Sequence, residues 1–148
     1  MQWNRNFACL VIFITVLIYS LPVFAAPKIY GDAVVSEVTS IYDGDTFRCT
    51  IAGYPEIIGE RIGIRINGID TPEMRDNRPA VKDLAHQAKQ HTVQRLREGR
   101  QIVLKNMQRG KYFRIVADVY VDGSNLGQEL IERGLAQPYD GGKKAKWQ

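Results

Sequence analysis

Carboxylates and arginines that could act on a phosphodiester lie in three short segments of the chain. These segments are Asp43-Gly-Asp-Thr46, Arg65-Ile-Asn-Gly-Ile-Asp-Thr-Pro-Glu73 and Tyr112-Phe-Arg114. Carboxylate oxygens bind hard cations such as calcium, a further carboxylate can take a proton from water, and a planar guanidinium matches the oxygens of a phosphate. Together these residue types suit a metal-assisted attack on a phosphodiester.

Asp45 and Asp70 are the candidate metal ligands, and the backbone carbonyl of Thr71 and water could complete the oxygen shell. Asp45 lies at a predicted hairpin corner, and Asp70 ends a predicted strand. A structural interpretation is also open, because Asp43 and Asp45 can form an Asx turn and Asp70 can cap the corner before Pro72. The metal hypothesis therefore depends on the joint occurrence of these aspartates with the other polar groups.

Glu73 is the candidate general base, since Pro72 fixes the turn before it and water on a nearby metal would be within reach. Arg65 and Arg114 are the candidates for stabilising charge on the phosphate oxygens in the transition state. The alternatives are an ordinary solvated glutamate near a helix entrance and strand arginines that cover apolar surface.

Three further residues could hold a nucleic acid. Lys111 could bind a neighbouring phosphate, Tyr112 could pack on a sugar or base, and Tyr139 is a further candidate for stacking. Each of them, taken singly, is more often structural. The sequence carries no Cys/His cluster for zinc, no glycine-rich loop for a nucleotide and no serine elbow.

The apolar pattern predicts the elements that must position these groups. Five strands are predicted over 33–41, 46–51, 60–69, 101–105 and 111–121, with one helix over about 80–98 and a short helix that ends at Gly134. The third strand alternates, so Arg65 lies opposite its isoleucine face. Five short strands close most economically into a barrel, which removes exposed edges. The predicted fold is an α+β domain over 33–140, a small five-stranded OB-type β-barrel with two helices.

Residues 1–25 are typical of a signal peptide, with one cation, an apolar run over 7–19 and small residues at the cleavage positions. An uncleaved membrane anchor is the alternative, because the apolar stretch approaches spanning length. Both interpretations place the domain outside the cytosol, in the periplasm or the medium. After cleavage, 19 basic and 16 acidic residues leave a formal charge of +3, which is compatible with a polyanionic partner.

Cys49 is the one cysteine outside the leader, so no internal disulfide is predicted and its side chain is expected to face the core. The Gly- and Lys-rich residues 141–148 are predicted to form a flexible basic tail. We expect a monomer without stable membrane association after signal cleavage.

Taken in order, four motifs resemble the thermonuclease family, the staphylococcal-nuclease-like enzymes. They are Asp43-Gly-Asp-Thr46, Arg65 with Gly68-Ile-Asp-Thr-Pro-Glu73, Lys111-Tyr-Phe-Arg114, and the segment from Asn125 to Ala136 that ends in Gly134-Leu-Ala136. The resemblance covers about residues 34–139 and implies an OB-type barrel and calcium-dependent cleavage of DNA and RNA that leaves 3′-phosphate ends. It also implies roles that match the candidates above: Asp45, Asp70 and the Thr71 carbonyl on the metal, Glu73 as base, Arg65 and Arg114 on the phosphate, and Lys111 and Tyr112 beside the nucleotide.

The chain departs from the family pattern at three points. Gly110 stands where the family often has an aspartate, Phe113 replaces a small residue, and a third, C-terminal helix has no counterpart in this sequence. The first two departures affect the details of the nucleotide pocket. The third affects the stability of the fold and the surface on which a base would stack. None of them removes a named catalytic group.

The leading hypothesis is a secreted metal-dependent endonuclease. The alternative from another class is a non-catalytic OB-type module that binds nucleic acid or a protein, which would need neither Glu73 nor both arginines. An exported nuclease that serves one transfer or uptake apparatus is a third possibility. The preference between DNA and RNA stays open, because a phosphate-centred site reads no base.

Overall fold

The structure, a computed structural model, describes residues 28–147 of the chain. The predicted signal peptide lies outside these described residues. Within them, the helices are all too short or too polar to cross a bilayer. The strands are β1 Ala33–Ile41, β2 Thr46–Ile51, β3 Ile62–Ile66, β4 Ile69–Asp70, β5 Ile102–Arg109, β6 Arg114–Val121, β7 Ser124–Asn125 and β8 Gln137–Pro138. The helices are α1 Glu56–Gly59, α2 Pro79–Glu98 and α3 Leu126–Glu132.

Five of the strands form a closed barrel, as the sequence predicts. The order around the barrel is β3-β2-β1-β5-β6, and a parallel pairing of β3 with β6 closes the ring, whereas the other neighbours are antiparallel. Closure pairs every long strand on both sides, which removes the exposed edges of an open sheet. The α+β, OB-type fold is confirmed.

Two predicted strands are shorter than expected, because backbone turns interrupt them. The strand predicted over 60–69 divides at Gly68, whose φ of 76° is accessible mainly to glycine. The strand predicted over 111–121 starts only at Arg114, since Tyr112 and Phe113 adopt φ values of 56° and 55° that fit a turn and not a strand. The single-turn helix α1 lies where only an irregular connection was predicted.

The barrel interior and the two longer helices form one apolar core. Phe47, Ile64, Leu104 and Val119 are buried inside the barrel. Helix α2 buries Val81, Ala85, Ala88, Thr92 and Leu96, which recur at the spacing of one helical face. The closed barrel and its covering helices thus share this core within the described residues.

Cys49 is fully buried in this core, as predicted. Burial raises the pKa of its thiol to about 12. The thiol therefore stays protonated and unreactive at physiological pH.

Candidate active site

Arg65 joins two carboxylates that come from different parts of the chain. Its Nη1 lies 2.6 Å from Asp45 Oδ1, at the corner between β1 and β2, and its Nη2 lies 3.1 Å from Asp70 Oδ1, at the end of β4. Strand β3 places Arg65 beside the start of β2, where Thr46 pairs with it. Both aspartates are buried, whereas a fifth of the arginine side chain remains exposed. The two candidate metal ligands thus converge on one guanidinium.

The Asp45 carboxylate is held by a full set of hydrogen bonds. Thr46 Oγ1 donates to its Oδ1 at 2.9 Å, and the Thr71 backbone N–H donates to its Oδ2 at 3.0 Å. The Asp45 backbone N–H donates in turn to Asp43 Oδ1 at 3.1 Å, which is the Asx turn considered in the structural interpretation. The Asx turn does not exclude a functional role for Asp45. The turn fixes the backbone of Asp45 and so orients the carboxylate that Arg65 contacts.

Asp43 is nearly buried beside this cluster. Burial, reinforced by the neighbouring charge of Asp45, raises the pKa of Asp43 to about 6, although its hydrogen bond from the Asp45 N–H and the charge of Arg65 act in the opposite direction.

The hairpin corner is clamped against helix α2 at Gly44. A Cβ atom at this position would lie 2.8 Å from the Cβ of Ala88 and 2.8 Å from Cγ2 of Thr71, so only glycine fits without a shift. The hydroxyl of Thr92 donates a 2.7 Å hydrogen bond to the Gly44 carbonyl. Thr92 is buried on the face of this helix that packs on the barrel. Its spacing of four residues from Ala88 is the signal that could have identified it.

Glu73 lies at the entrance of the site and is mostly exposed. Its Oε1 is 2.8 Å from Nζ of Lys144, and the same ammonium is 2.8 Å from Asp70 Oδ1. Burial opposes the charge on Lys144, but hydrogen bonds to Asp70 and Glu73 outweigh it and raise the pKa of the lysine. Lys144 was missed in the sequence as a site residue, since no local pattern relates position 144 to positions 70 and 73.

Arg114 lies on the same sheet face as Arg65. In the parallel pairing of β3 with β6, Gly63 lies opposite Arg114 and Arg65 lies opposite Val116. The two arginines are therefore two positions apart on neighbouring strands, with side chains on one face. A Cβ on Gly63 would lie 3.0 Å from the Arg114 Cγ, so the glycine leaves room for that side chain.

Unlike Arg65, Arg114 forms no ion pair with a carboxylate in the described part of the chain. Its Nε donates a long hydrogen bond of 3.4 Å to the Lys111 carbonyl, and its guanidinium carbon lies 5.7 Å from the centre of the Tyr112 ring. The tyrosine is itself 87% exposed. Arg114 and Tyr112 thus present a free guanidinium and an open aromatic face.

Two grooves flank the pair of arginines. One, of about 730 Å³, is lined by Arg65, Gln108, Val116 and Tyr139 among others. The other, of about 390 Å³, is lined by Thr46, Gly63, Tyr112 and Arg114 among others. The structure therefore divides the sequence candidates. Asp45, Asp70, Thr71, Glu73 and Arg65 form one cluster, which Tyr139 borders in the first groove. Arg114 and Tyr112 line the second groove, and the carbonyl of Lys111 accepts the Arg114 hydrogen bond beside it.

The donor set suits a hard cation held by few protein ligands. Among the described residues, no three His, Cys, Asp or Glu side chains are grouped so that they could hold a metal. Asp45 and Asp70 provide carboxylate oxygens that converge within the span of one guanidinium, and calcium takes six to eight oxygens. These two residues fit a metal whose shell is completed by a backbone carbonyl and water.

Comparison with known proteins gives a family match and two similar relatives. A family model described as "Staphylococcal nuclease homologue" matches residues 63–147, more than half of the chain. Two curated proteins of Bacillus subtilis (strain 168) are similar over 97 residues: the SPbeta prophage-derived endonuclease YokF at 32% identity and endonuclease YncB at 30%. Each match covers 64% of this chain, but only 31% of YokF and 43% of YncB. The chain thus aligns with less than half of either relative.

Proposed function

Because the chain belongs to the staphylococcal nuclease-like family, we propose that it is a secreted, calcium-dependent endonuclease that hydrolyses DNA and RNA and leaves 3′-phosphate ends. The observation that carries this proposal is the double contact of Arg65 with Asp45 and Asp70, on the same sheet face as Arg114. A metal, a base and two guanidinium groups could act there on one phosphodiester. The names of the two Bacillus relatives add support for the class of reaction.

Asp45, Asp70 and the carbonyl of Thr71 would hold the calcium. The Thr71 N–H already binds Asp45 Oδ2, so the backbone that bears this carbonyl is fixed beside the aspartate. When bound, the metal would supply Lewis-acid stabilisation of charge on a phosphate oxygen. An exported protein also meets calcium at concentrations that a site with two carboxylates can use.

Glu73 would act as the general base on the attacking water. Its side chain is 66% exposed, so water reaches it freely. It follows the Thr71-Pro72 turn, which keeps it within a few residues of Asp70. Arg65 and Arg114 would bind the phosphate oxygens from the sheet face and stabilise the charge that develops on them.

Lys111, Tyr112 and Tyr139 would contact the nucleic acid on either side of the cleaved bond. Tyr112 and Tyr139 border different grooves, so they would meet different nucleotides of the same strand. Aromatic stacking tolerates any base, and a phosphate-centred site reads no base. Both features favour a substrate range that includes DNA and RNA.

A non-catalytic module that binds nucleic acid remains the competing function. It is disfavoured by the buried carboxylates, because a protein that binds a polyanion gains nothing from acidic groups beside its arginines. Catalysis through a metal gives those carboxylates a role.

The test is digestion of single-stranded DNA by residues 26–148 with millimolar calcium and with chelator. Cleavage that needs calcium and falls at least a hundredfold in Glu73→Gln is expected, since general-base catalysis contributes roughly 10²–10⁴-fold. Glu37→Gln, an exposed glutamate on β1, is the matched control and should keep full activity. A folded protein that binds the strand but leaves it intact with every divalent metal would assign the chain to the binding-module class.

Export and a monomeric state are proposals of the same kind. The leader-like residues 1–25 and the charge of the remaining chain support them. Fractionation of the source cells and the mass of residues 26–148 in solution would test them. A protein found in the cytosol with its leader intact would contradict export.

A further inference from the structure

The side chain of Lys144 occupies the position between two carboxylates of the active site. Its Nζ is 2.8 Å from Asp70 Oδ1 and 2.8 Å from Glu73 Oε1. Under the proposed function, Asp70 is a metal ligand and Glu73 is the base. One cation from the C-terminal part of the chain therefore contacts both groups.

Residues 139–147, here called the C-terminal strap, pass over the segment that bears these carboxylates. At its start, the Tyr139 N–H donates to the Gly68 carbonyl at 2.9 Å. At its end, the Trp147 carbonyl accepts a hydrogen bond from the Arg78 guanidinium, and the Trp147 indole nitrogen is buried. Strand β8, directly before the strap, pairs with β4 and so starts the strap beside Asp70. The lysine contact is thus the middle one of three attachments.

An ammonium on Asp70 Oδ1, an oxygen that Arg65 Nη2 also contacts at 3.1 Å, disfavours a divalent cation on the same carboxylate. Both are attracted to Asp70, and their like charges repel at the distances that direct ligation requires. The Lys144 side chain is 44% exposed, so solvent screening keeps its ion pairs weak enough for a divalent cation to displace them. While the ion pair persists, the Glu73 carboxylate is also engaged by the lysine.

We propose that the C-terminal strap masks the active site through Lys144, and that a divalent cation binds at Asp70 as the lysine and the strap move away. This inference rests on the proposed function, since it assigns Asp70 to the metal. The contact is autoinhibitory: calcium binding and release of Glu73 become one event. The strap also carries Lys143, which lines the groove beside Arg65, so its movement would open that groove.

Trp147 provides a probe of this movement that does not depend on cleavage. The sequence contains two tryptophans, and Trp3 lies in the predicted leader, so residues 26–148 retain only Trp147. Calcium should make the fluorescence of Trp147 more accessible to acrylamide, with the same midpoint as calcium binding measured by calorimetry.

The decisive variant is Lys144→Gln, with Lys146→Gln as the matched control on an exposed lysine of the same strap. Without calcium, Lys144→Gln should already show the more accessible Trp147. Its half-saturating calcium concentration should fall roughly three- to fivefold, as expected for loss of a partly exposed competing ion pair. Lys146→Gln should match the unmodified protein in both measurements, and thermal unfolding would confirm that all three proteins are folded.

The possible outcomes distinguish a failure of the strap proposal from a failure of the proposed function. If the unmodified protein binds calcium and cleaves DNA, but Lys144→Gln binds calcium with the same affinity and leaves Trp147 equally shielded, the strap does not mask the site and the nuclease assignment stands. If no variant binds calcium by calorimetry, the metal role of Asp70 is wrong and this inference is wrong with it.

Discussion

The hydroxyl of Thr92 donates a 2.7 Å hydrogen bond to the carbonyl of Gly44, and both residues are buried. This contact ties the middle of helix α2 to the hairpin corner that carries Asp45. Through Thr92 the helix therefore helps to position the carboxylate of Asp45, which lies 47 residues earlier in the chain.

Thr92→Val should destabilise the fold by about 1–3 kcal/mol, because it keeps the shape of the side chain and leaves the buried Gly44 carbonyl without its donor. Chemical denaturation would measure the loss. Thr92→Ser retains the hydroxyl and should recover most of the stability that the hydrogen bond supplies. A loss in Thr92→Ser with none in Thr92→Val would show that packing of the methyl group, and not the hydrogen bond, is what matters.

Gly44→Ala should cost about 1–3 kcal/mol, the usual range for overpacking a core, since its Cβ would be only 2.8 Å from Ala88 and Thr71. Thermal or chemical unfolding checks the change. Combining it with Ala88→Gly removes one of the two clashes, so the double variant should lose less than the sum of the single losses. If the losses of the two single variants simply add in the double variant, the strain does not come from contact with Ala88.

Arg65→Lys should reduce kcat/KM on single-stranded DNA by roughly 10²–10³-fold, because a lysine makes a point contact where the guanidinium bridges Asp45 and Asp70 and, under the proposed function, would bind phosphate. Arg133→Lys changes an exposed arginine and serves as the control. Wild-type rates for Arg65→Lys would remove the arginine from the site. Denaturation of both variants separates lost catalysis from lost folding.

His91 should make the stability of the fold depend on pH on the acid side. Burial lowers the pKa of His91 below its ordinary value of 6.5, although a contact with Glu129 at 3.2 Å opposes the shift. Below about pH 6.5 the unfolded chain then binds a proton that the folded chain does not. The stabilisation by this residue is present above the unfolded pKa and is lost as the pH falls toward the lowered value.

His91→Gln should weaken this pH dependence, because glutamine can still hydrogen-bond to Glu129 but does not titrate. Unfolding free energies at pH 5, 6, 7 and 8 would show the effect as a shallower slope between pH 5 and 7. His86→Gln, on an exposed position of the same helix, is the control and should keep the original slope. A slope that is unchanged in His91→Gln would assign the dependence to other groups.

The barrel and its main helix could be predicted from the sequence because the signals are local. Alternation along β3 and the four-residue recurrence along α2 are properties of neighbouring residues. The limits of the elements were less predictable, since positive φ values at Gly68, Tyr112 and Phe113 end strands that the apolar pattern would continue. Only the chain's path in space selects those conformations.

The sequence by itself determined the fold class, the order of the strands along the chain and the residue types of the candidate site. The tertiary structure alone decided which of these residues touch. Asp45 and Asp70 lie 25 positions apart and share Arg65, and the parallel pairing of β3 with β6 places Arg114 on the same face. The physical reason is that side-chain periodicity acts over a few residues, whereas these contacts arise when the barrel closes. For the same reason Lys144 became visible as a site residue only in the folded chain.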